Sequence, residues 1–211
     1  MTSGMYWVLA TQNAKKAKEL VALSEGSVDV KTLKDIGLDD LEIIEDGDSF
    51  KANAYIKAHT VLTHLQENNF SPMPQWVVAD DSGLCVFALE GAPGIRSARY
   101  ASDAGFGEGD DDNNDLLFKS LEQSPQAKDR KAFFACAVCA VSSRGERKDF
   151  YGEVHGTIAH GLTGDGGFGY DPLFIPDAYP DYSMAELTAT QKHAISHRGL
   201  AMRELCKALI P

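Results

Sequence analysis

Apolar positions along the chain fall into short dense runs and longer periodic ones. "MYWVLAT", Met5–Thr11, and "WVVA", Trp76–Ala79, have the length and content of buried strands. The first leads through the polar loop "QNAKK" into a helix predicted to reach Leu23. Over "ANAYIKAHTVLTHLQENN", apolar residues at Ala54, Ile56, Ala58, Val61, Leu62 and Leu65 keep helical spacing, and "SPMP" closes that helix. A second short strand is expected over "LCVFAL", Leu84–Leu89, ahead of the turn "EGAPG". Farther on, "RKAFFACAVCAVSS" and "KDFYGEVHGTIAHG" predict a strand pair across "SSRGER". The chain closes on "KHAISHRGLAMRELCKALI", whose second half is predicted helical. Alternating elements early and a meander in the middle imply the α/β class, a mixed sheet with flanking helices.

Composition narrows the partners. With 211 residues and 44% hydrophobic content the chain can bury a core. A net charge of −11 argues against nucleic acid or an anionic membrane, both of which select clustered Lys and Arg. No basic leader and no apolar run of membrane-spanning length stands out, so a cytoplasmic location is expected. Cys136 and Cys139 form a C-x-x-C inside an apolar strand, where residues three apart face opposite sides, so they are expected to be reduced core residues. The acidic run "GEGDDDNND" lacks the ligand spacing of a calcium loop and precedes the helical pattern "LLFKSLEQ", where it suits the start of a helix.

The chemistry begins at "ADDSGL". Asp80 and Asp81 follow the end of the strand ending at Ala79 and repel each other, so a positive partner is expected beside them. "GDGGFG", Gly164–Gly169, matches a dinucleotide fingerprint to the letter, yet Tyr170, Asp171 and Pro172 follow it where a helix would have to start. It is either an ordinary glycine-rich turn or a loop offering the Phe168 ring for stacking and Asp171 as an acceptor. Thr11, Asn13 and Lys16 occupy a strand-to-helix loop and first helical turn, where a lysine is unfavourable unless an anion sits there. Near the last helix, Lys192, His197 and Arg198 are either an anion site or ordinary surface groups, His197 a satisfied surface histidine and Arg198 paired with one of the 31 acidic residues. Together, Glu45, Asp80 and Asp81 can offer oxygens to a hard divalent cation while Lys16, Lys192 and Arg198 neutralise phosphate.

In order, "ATQNAKKAKEL", "EDGDSFKANAYIKA", "ADDSGLCVFALEGAPGIRSARYA", "GGFGYDPLFIP" and "AELTATQKHAISHRG" resemble the non-standard purine nucleoside triphosphate pyrophosphatases, the XTP/dITP diphosphatase and inosine triphosphatase family. The resemblance spans residues 10 to 199. It implies one domain over residues 1–211, an elongated mixed sheet whose two lobes form a nucleotide cleft, a homodimer, and Mg²⁺-dependent hydrolysis of ITP, dITP and XTP to monophosphate and pyrophosphate. By the same resemblance Asp81 is the proton acceptor and a metal ligand, Glu45 the second metal carboxylate, and Ser82 a substrate contact. Thr11, Asn13 and Lys16 match the phosphate loop, with Lys57 a further phosphate candidate. Phe168, Gly169, Tyr170 and Asp171 match the base loop, and Lys192, His197 and Arg198 the segment reading phosphate and the 6-keto edge. Gln12 and Lys15 stand where the family has glycines, and Ala52 where it has glutamate, changes expected to tune affinity. Two alternatives stay open: a pyrophosphatase for another modified base, and a nucleotide-binding protein without turnover.

Overall fold

A computed structural model describes residues 6–23, 26, 28–126 and 128–210. Met5 and the edge of the first predicted strand that it forms lie outside them. The six strands are β1 (Tyr6–Leu9), β2 (Asp29–Thr32), β3 (Trp76–Val86), β4 (Lys131–Val141), β5 (Arg147–Ile158) and β6 (Phe174–Pro176). They form one mixed sheet in the order β2-β1-β3-β4-β5-β6, with β1 parallel to both its neighbours and β6 antiparallel to β5. The helices are α1 (Ala14–Leu23), α2 (Phe50–Glu67), α3 (Tyr100–Asp103), α4 (Asp110–Gln123), α5 (Ala189–Ile195) and α6 (His197–Leu209). No helix among the described residues is long and apolar enough to cross a membrane.

The chain divides into two compact units, residues 1–81, 136–151 and 201–211 in the first and 82–135 and 152–200 in the second, so β3, β4, β5 and α6 each contribute to both. In the first unit the strand alternation sorts two cores. Tyr6, Val8, Ala10, Val77 and Ala79 meet Ala54, Ala58, Val61 and Leu65 of α2, whereas Trp7, Leu9 and Val78 meet Leu20 of α1 and Met202 and Leu205 of α6. Helix α2 starts where Ser49 accepts a hydrogen bond from the Ala52 amide at 3.3 Å, two residues before the predicted start. Cys136 and Cys139 fall into opposite cores and form no disulfide, as their spacing predicts. Burial, with Asp149 nearby, pushes the Cys139 thiol up to about 12, which keeps it unreactive at neutral pH.

In the second unit, Leu84, Val86, Phe134, Ile158 and Phe174 of the strands pack with Leu117 and Leu121 of α4 and with Leu173 and Met184. The acidic run opens α4 as expected, but through its first turn: Gly109 is the cap, Asp110, Asp111 and Asp112 complement the helix dipole, and Asp112 accepts from the Glu108 amide at 2.7 Å.

Three expectations need correction. Instead of stopping at Ala79, β3 runs on through both aspartates to Val86, and Phe87–Leu89 forms a 3-10 turn rather than strand. The predicted break assumed charges leave a sheet, whereas here each carboxylate meets an ammonium in place. The C-terminal segment is helical in its first half as well: Thr188 and Gln191 form a capping box that starts α5, and the buried, extended Ser196 separates it from α6. The edge strands β2 and β6 had no signal, since "DVKT" does not alternate and "FIP" is three residues long.

Candidate active site

Asp80 and Asp81 are consecutive strand residues and therefore point to opposite faces of β3. Asp80 is 1% exposed, and the Lys16 ammonium of α1 lies 3.4 Å from its Oδ2. Asp81, 7% exposed, faces α2. There Asn53 Nδ2 donates to its Oδ2 at 3.1 Å, and Lys57 Nζ lies 3.5 Å from its Oδ1. The same ammonium sits 2.8 Å from Glu45 Oε2, so one cation joins the two carboxylates. The positive partners anticipated for the paired aspartates are therefore two lysines from two helices, one on each face.

The electrostatics of this group are finely opposed. Burial raises the Asp81 carboxyl, while Lys57, Lys16 and the Asn53 hydrogen bond lower it, and the net position is above the usual carboxylate range. For Lys57, burial alone would lower the ammonium, but Asp81, Asp80 and Glu45 together outweigh it and raise it. Lys57 thereby moves from a secondary phosphate candidate to the centre of the cluster. Asn53 was not anticipated at all. Its signal was present, because Asn53 and Lys57 are polar residues four apart on the buried face of a helix otherwise lined there by Ala54, Ala58, Val61 and Leu65.

At the start of α1, Asn13 Oδ1 accepts from the Lys16 amide at 3.1 Å, and Thr11 Oγ1 accepts from the Asn13 amide at 3.2 Å. Those side chains shape the helix start, with Thr11 partly exposed and Asn13 exposed. Gln12 ties the loop down by donating to the carbonyls of Asp39 and Leu41 at 3.0 and 2.8 Å. Its φ is not positive, so the position does not demand the glycine that the family resemblance would place there. Lys15 lies within α1, and its side chain is outside the described residues.

No group of three His, Cys, Asp or Glu among the described residues forms a ready cage for a metal ion. Two carboxylates suffice for Mg²⁺, which completes its shell with water and substrate phosphate oxygens. The Lys57 ammonium shows that Glu45 and Asp81 lie close enough to share one positive charge, and their oxygens are the donor type that a hard divalent cation takes.

The second unit gathers the other predicted residues around Phe168. Lys192 Nζ lies 5.1 Å and the Arg198 guanidinium carbon 5.5 Å from the centre of its ring. Asp171, 4% exposed, accepts from the Phe168 amide and from Lys192 Nζ, both at 2.8 Å, through one oxygen. That carboxylate organises the loop in which it sits, and a Cβ at Gly167, whose φ is +75°, would run into it. Tyr170 belongs to the core: it is 3% exposed, its hydroxyl donates to the Ser97 carbonyl at 2.9 Å, and burial raises its pKa. Both peptide groups of Gly169 are held by α4, its N–H by Asp110 at 2.8 Å and its carbonyl by Asn114 at 3.0 Å. His197 stacks on Phe134 with ring centres 4.8 Å apart and an interplanar angle of 10°. Arg198, 3% exposed, donates to Ser82 Oγ at 2.8 Å, and Ser82 follows Asp81 in β3. The Gly-rich run is thus a built loop carrying an aromatic ring with two cations close to it.

A model of the Ham1 family matches residues 7–208. The chain belongs to the Ham1 family. Among relatives, it is 41% identical over 200 residues to a dITP/XTP pyrophosphatase of Clostridium perfringens, covering 94% of each chain, and 44% identical over 210 residues to one of Listeria monocytogenes, covering 96% of this chain and 94% of that one. Among solved structures it resembles the Staphylococcus aureus Ham1 protein, with a TM-score of 0.80 and 35% identity over 97% of both chains. A Ham1 protein from Coxiella burnetii gives a TM-score of 0.81 at 32% identity over 97% of this chain and 98% of that one. A mixed sheet with flanking helices is therefore the Ham1 fold, carried here at nearly full length.

Proposed function

We propose that this Ham1-family chain hydrolyses the non-standard purine nucleoside triphosphates ITP, dITP and XTP to the monophosphate and pyrophosphate, removing them from the nucleotide pool. The observation that carries the reading is Asp81, a buried carboxylate on β3 held between the Asn53 amide and the Lys57 ammonium, which also binds Glu45. Relatives covering nearly the whole chain are named dITP/XTP pyrophosphatases, which supports the same substrate class.

In this reading Asp81 accepts a proton from the attacking water. Its raised carboxyl pKa brings it closer to neutrality and makes it a better base than an exposed aspartate. Asn53 and Lys57 fix its orientation. Lys16 and Lys57 supply positive charge for the phosphates, which phosphoryl transfer needs more than it needs a covalent nucleophile. Glu45 and Asp81 are the residues that would hold Mg²⁺, which when bound supplies further neutralisation of phosphate charge. Thr11 and Asn13 form the phosphate loop with Lys16. Phe168 offers the ring for base stacking, while Lys192, His197 and Arg198 supply donors for phosphate and the 6-keto oxygen, with Ser82 a further substrate contact. Donors matched to O6 go unsatisfied when adenine enters, which is the physical basis for selectivity. The reading also includes one domain whose two lobes share a nucleotide cleft, a homodimer in the cytoplasm, and neither nucleic acid nor membrane as partner.

Steady-state pyrophosphate release with Mg²⁺ from ITP, dITP and XTP beside ATP, GTP, CTP and UTP tests it. The expected result is a kcat/KM for the inosine and xanthine nucleotides about 100-fold or more above that for ATP, with loss of turnover on chelation of the metal. Preference for another base would retain the chemistry and reject the base assignment. Tight binding without release from any nucleotide would instead make the chain a binding protein.

A further inference from the structure

Four of the six residues Gly164–Gly169 are glycine. Gly164, Gly167 and Gly169 take φ values of 80°, 75° and 63°. Such a run has large backbone freedom and few side chains with which to hold itself, yet it carries Phe168. A site that rejects a wrong base by leaving donors unpaired does so only if ring and donors stay in place, since a mobile loop lets the wrong base find other partners. What fixes the loop therefore bears on selectivity.

Gly166 N–H donates to the Ala185 carbonyl at 3.1 Å, and Phe168 N–H to Asp171. Further anchors come from α4, outside the loop. Asp110 Oδ2 accepts from Gly169 N–H, and Asn114 Nδ2 donates to the Gly169 carbonyl. The two side chains lie four residues apart on one face of the helix and close on both sides of a single residue. The helix is itself fixed: Leu117 and Leu121 are fully buried, and neighbouring Asn113 accepts from the Ala101 amide at 2.8 Å and donates to the Ala98 carbonyl at 3.3 Å.

Asn114 adds a second indication. It is 4% exposed, and among the described residues its buried Oδ1 has no hydrogen-bond partner while its amide NH₂ holds Gly169. An orphaned buried acceptor is unfavourable, and an apolar side chain of the same size would remove it. An asparagine there makes sense if the bond to Gly169 is what matters. We propose that Asp110 and Asn114 are positioning residues that set base selectivity by holding Gly169, and through it Phe168, on α4. This rests on the pyrophosphatase reading above.

The test uses the full chain with Asn114→Leu, which removes donor and orphaned acceptor together, and separately Asp110→Ala, at an exposed position. Three readouts are compared with the unaltered chain: kcat and KM for ITP and for ATP, hydrogen exchange of the 164–173 backbone, and thermal unfolding. The expected result is an ITP-to-ATP ratio of kcat/KM lower by roughly five- to tenfold, the scale of one lost hydrogen bond, with faster exchange in the loop and little change in unfolding temperature. An unchanged ratio, or an equal loss on both nucleotides, overturns the proposal. So does unchanged exchange in the loop. If the unaltered chain releases no pyrophosphate from ITP, the pyrophosphatase reading fails and this role falls with it. Activity with an unmoved ratio defeats the positioning role alone.

Discussion

Asp81→Asn is expected to lower kcat with ITP by about 10³-fold or more, in the range seen when a general base is removed, while the protein melts at the same temperature or slightly higher. The second half of this expectation separates catalysis from structure. In the folded chain the Asp81 carboxyl stands above its ordinary range because burial outweighs Lys57, Lys16 and Asn53. A raised carboxyl contributes stability that is present below its unfolded pKa and lost as pH rises through the folded value, so at neutral pH the ionised group is a net cost. Asparagine removes that cost and keeps an oxygen to accept from Asn53 Nδ2. Kinetics and thermal unfolding at pH 7 check both halves. Full activity in the variant, or a large drop in unfolding temperature, would assign Asp81 a different role.

Lys57→Met is expected to do the reverse to stability. Lys57 is 8% exposed and touches Glu45 and Asp81. Its ammonium is raised above the ordinary lysine value, so its contribution is intact below the unfolded lysine pKa and is lost only as pH rises through that raised value. Methionine fills the volume but leaves the buried Asp81 carboxylate, and the half-buried Glu45 beside it, without their shared cation. Breaking a buried pair in this way costs roughly 3–5 kcal/mol, about 6–20 °C in a chain of this size. The deficit also has a pH signature. Without Lys57 the Asp81 carboxyl rises further, so the variant should approach the unaltered protein in acid and fall behind as pH rises through the Asp81 value. Unfolding curves across that window check it. A deficit independent of pH would mean that Lys57 stabilises by packing alone.

What was legible beforehand follows from how each feature is written in the chain. Helices α1 and α2 and the β4–β5 pair rest on long periodic segments, where one face is buried and the pattern has few alternatives. The candidate site residues stood out as motifs, and one electrostatic expectation is met by the structure: the adjacent aspartates called for cations and have Lys16 and Lys57 beside them. Their place in the strand was misjudged because a rule about isolated charges was applied to charges whose partners come from distant sequence. Asn53 and Asn114 escaped for a related reason. Each is a buried amide on a helix, and nothing in a single sequence says which backbone or carboxylate it will meet after folding. The Gly-rich loop was half legible: glycines and an aromatic suggested a flat ligand, but Tyr170 in the core and Asp171 as the loop's own organiser required the packed structure.

The products of dITP turnover, identified by ³¹P NMR in the presence of Mg²⁺, decide which phosphate bond is cut. Pyrophosphate and dIMP in equal amounts, with no orthophosphate, are expected. Orthophosphate with dIDP would contradict that expectation, because the chain would then be cleaving the terminal phosphate.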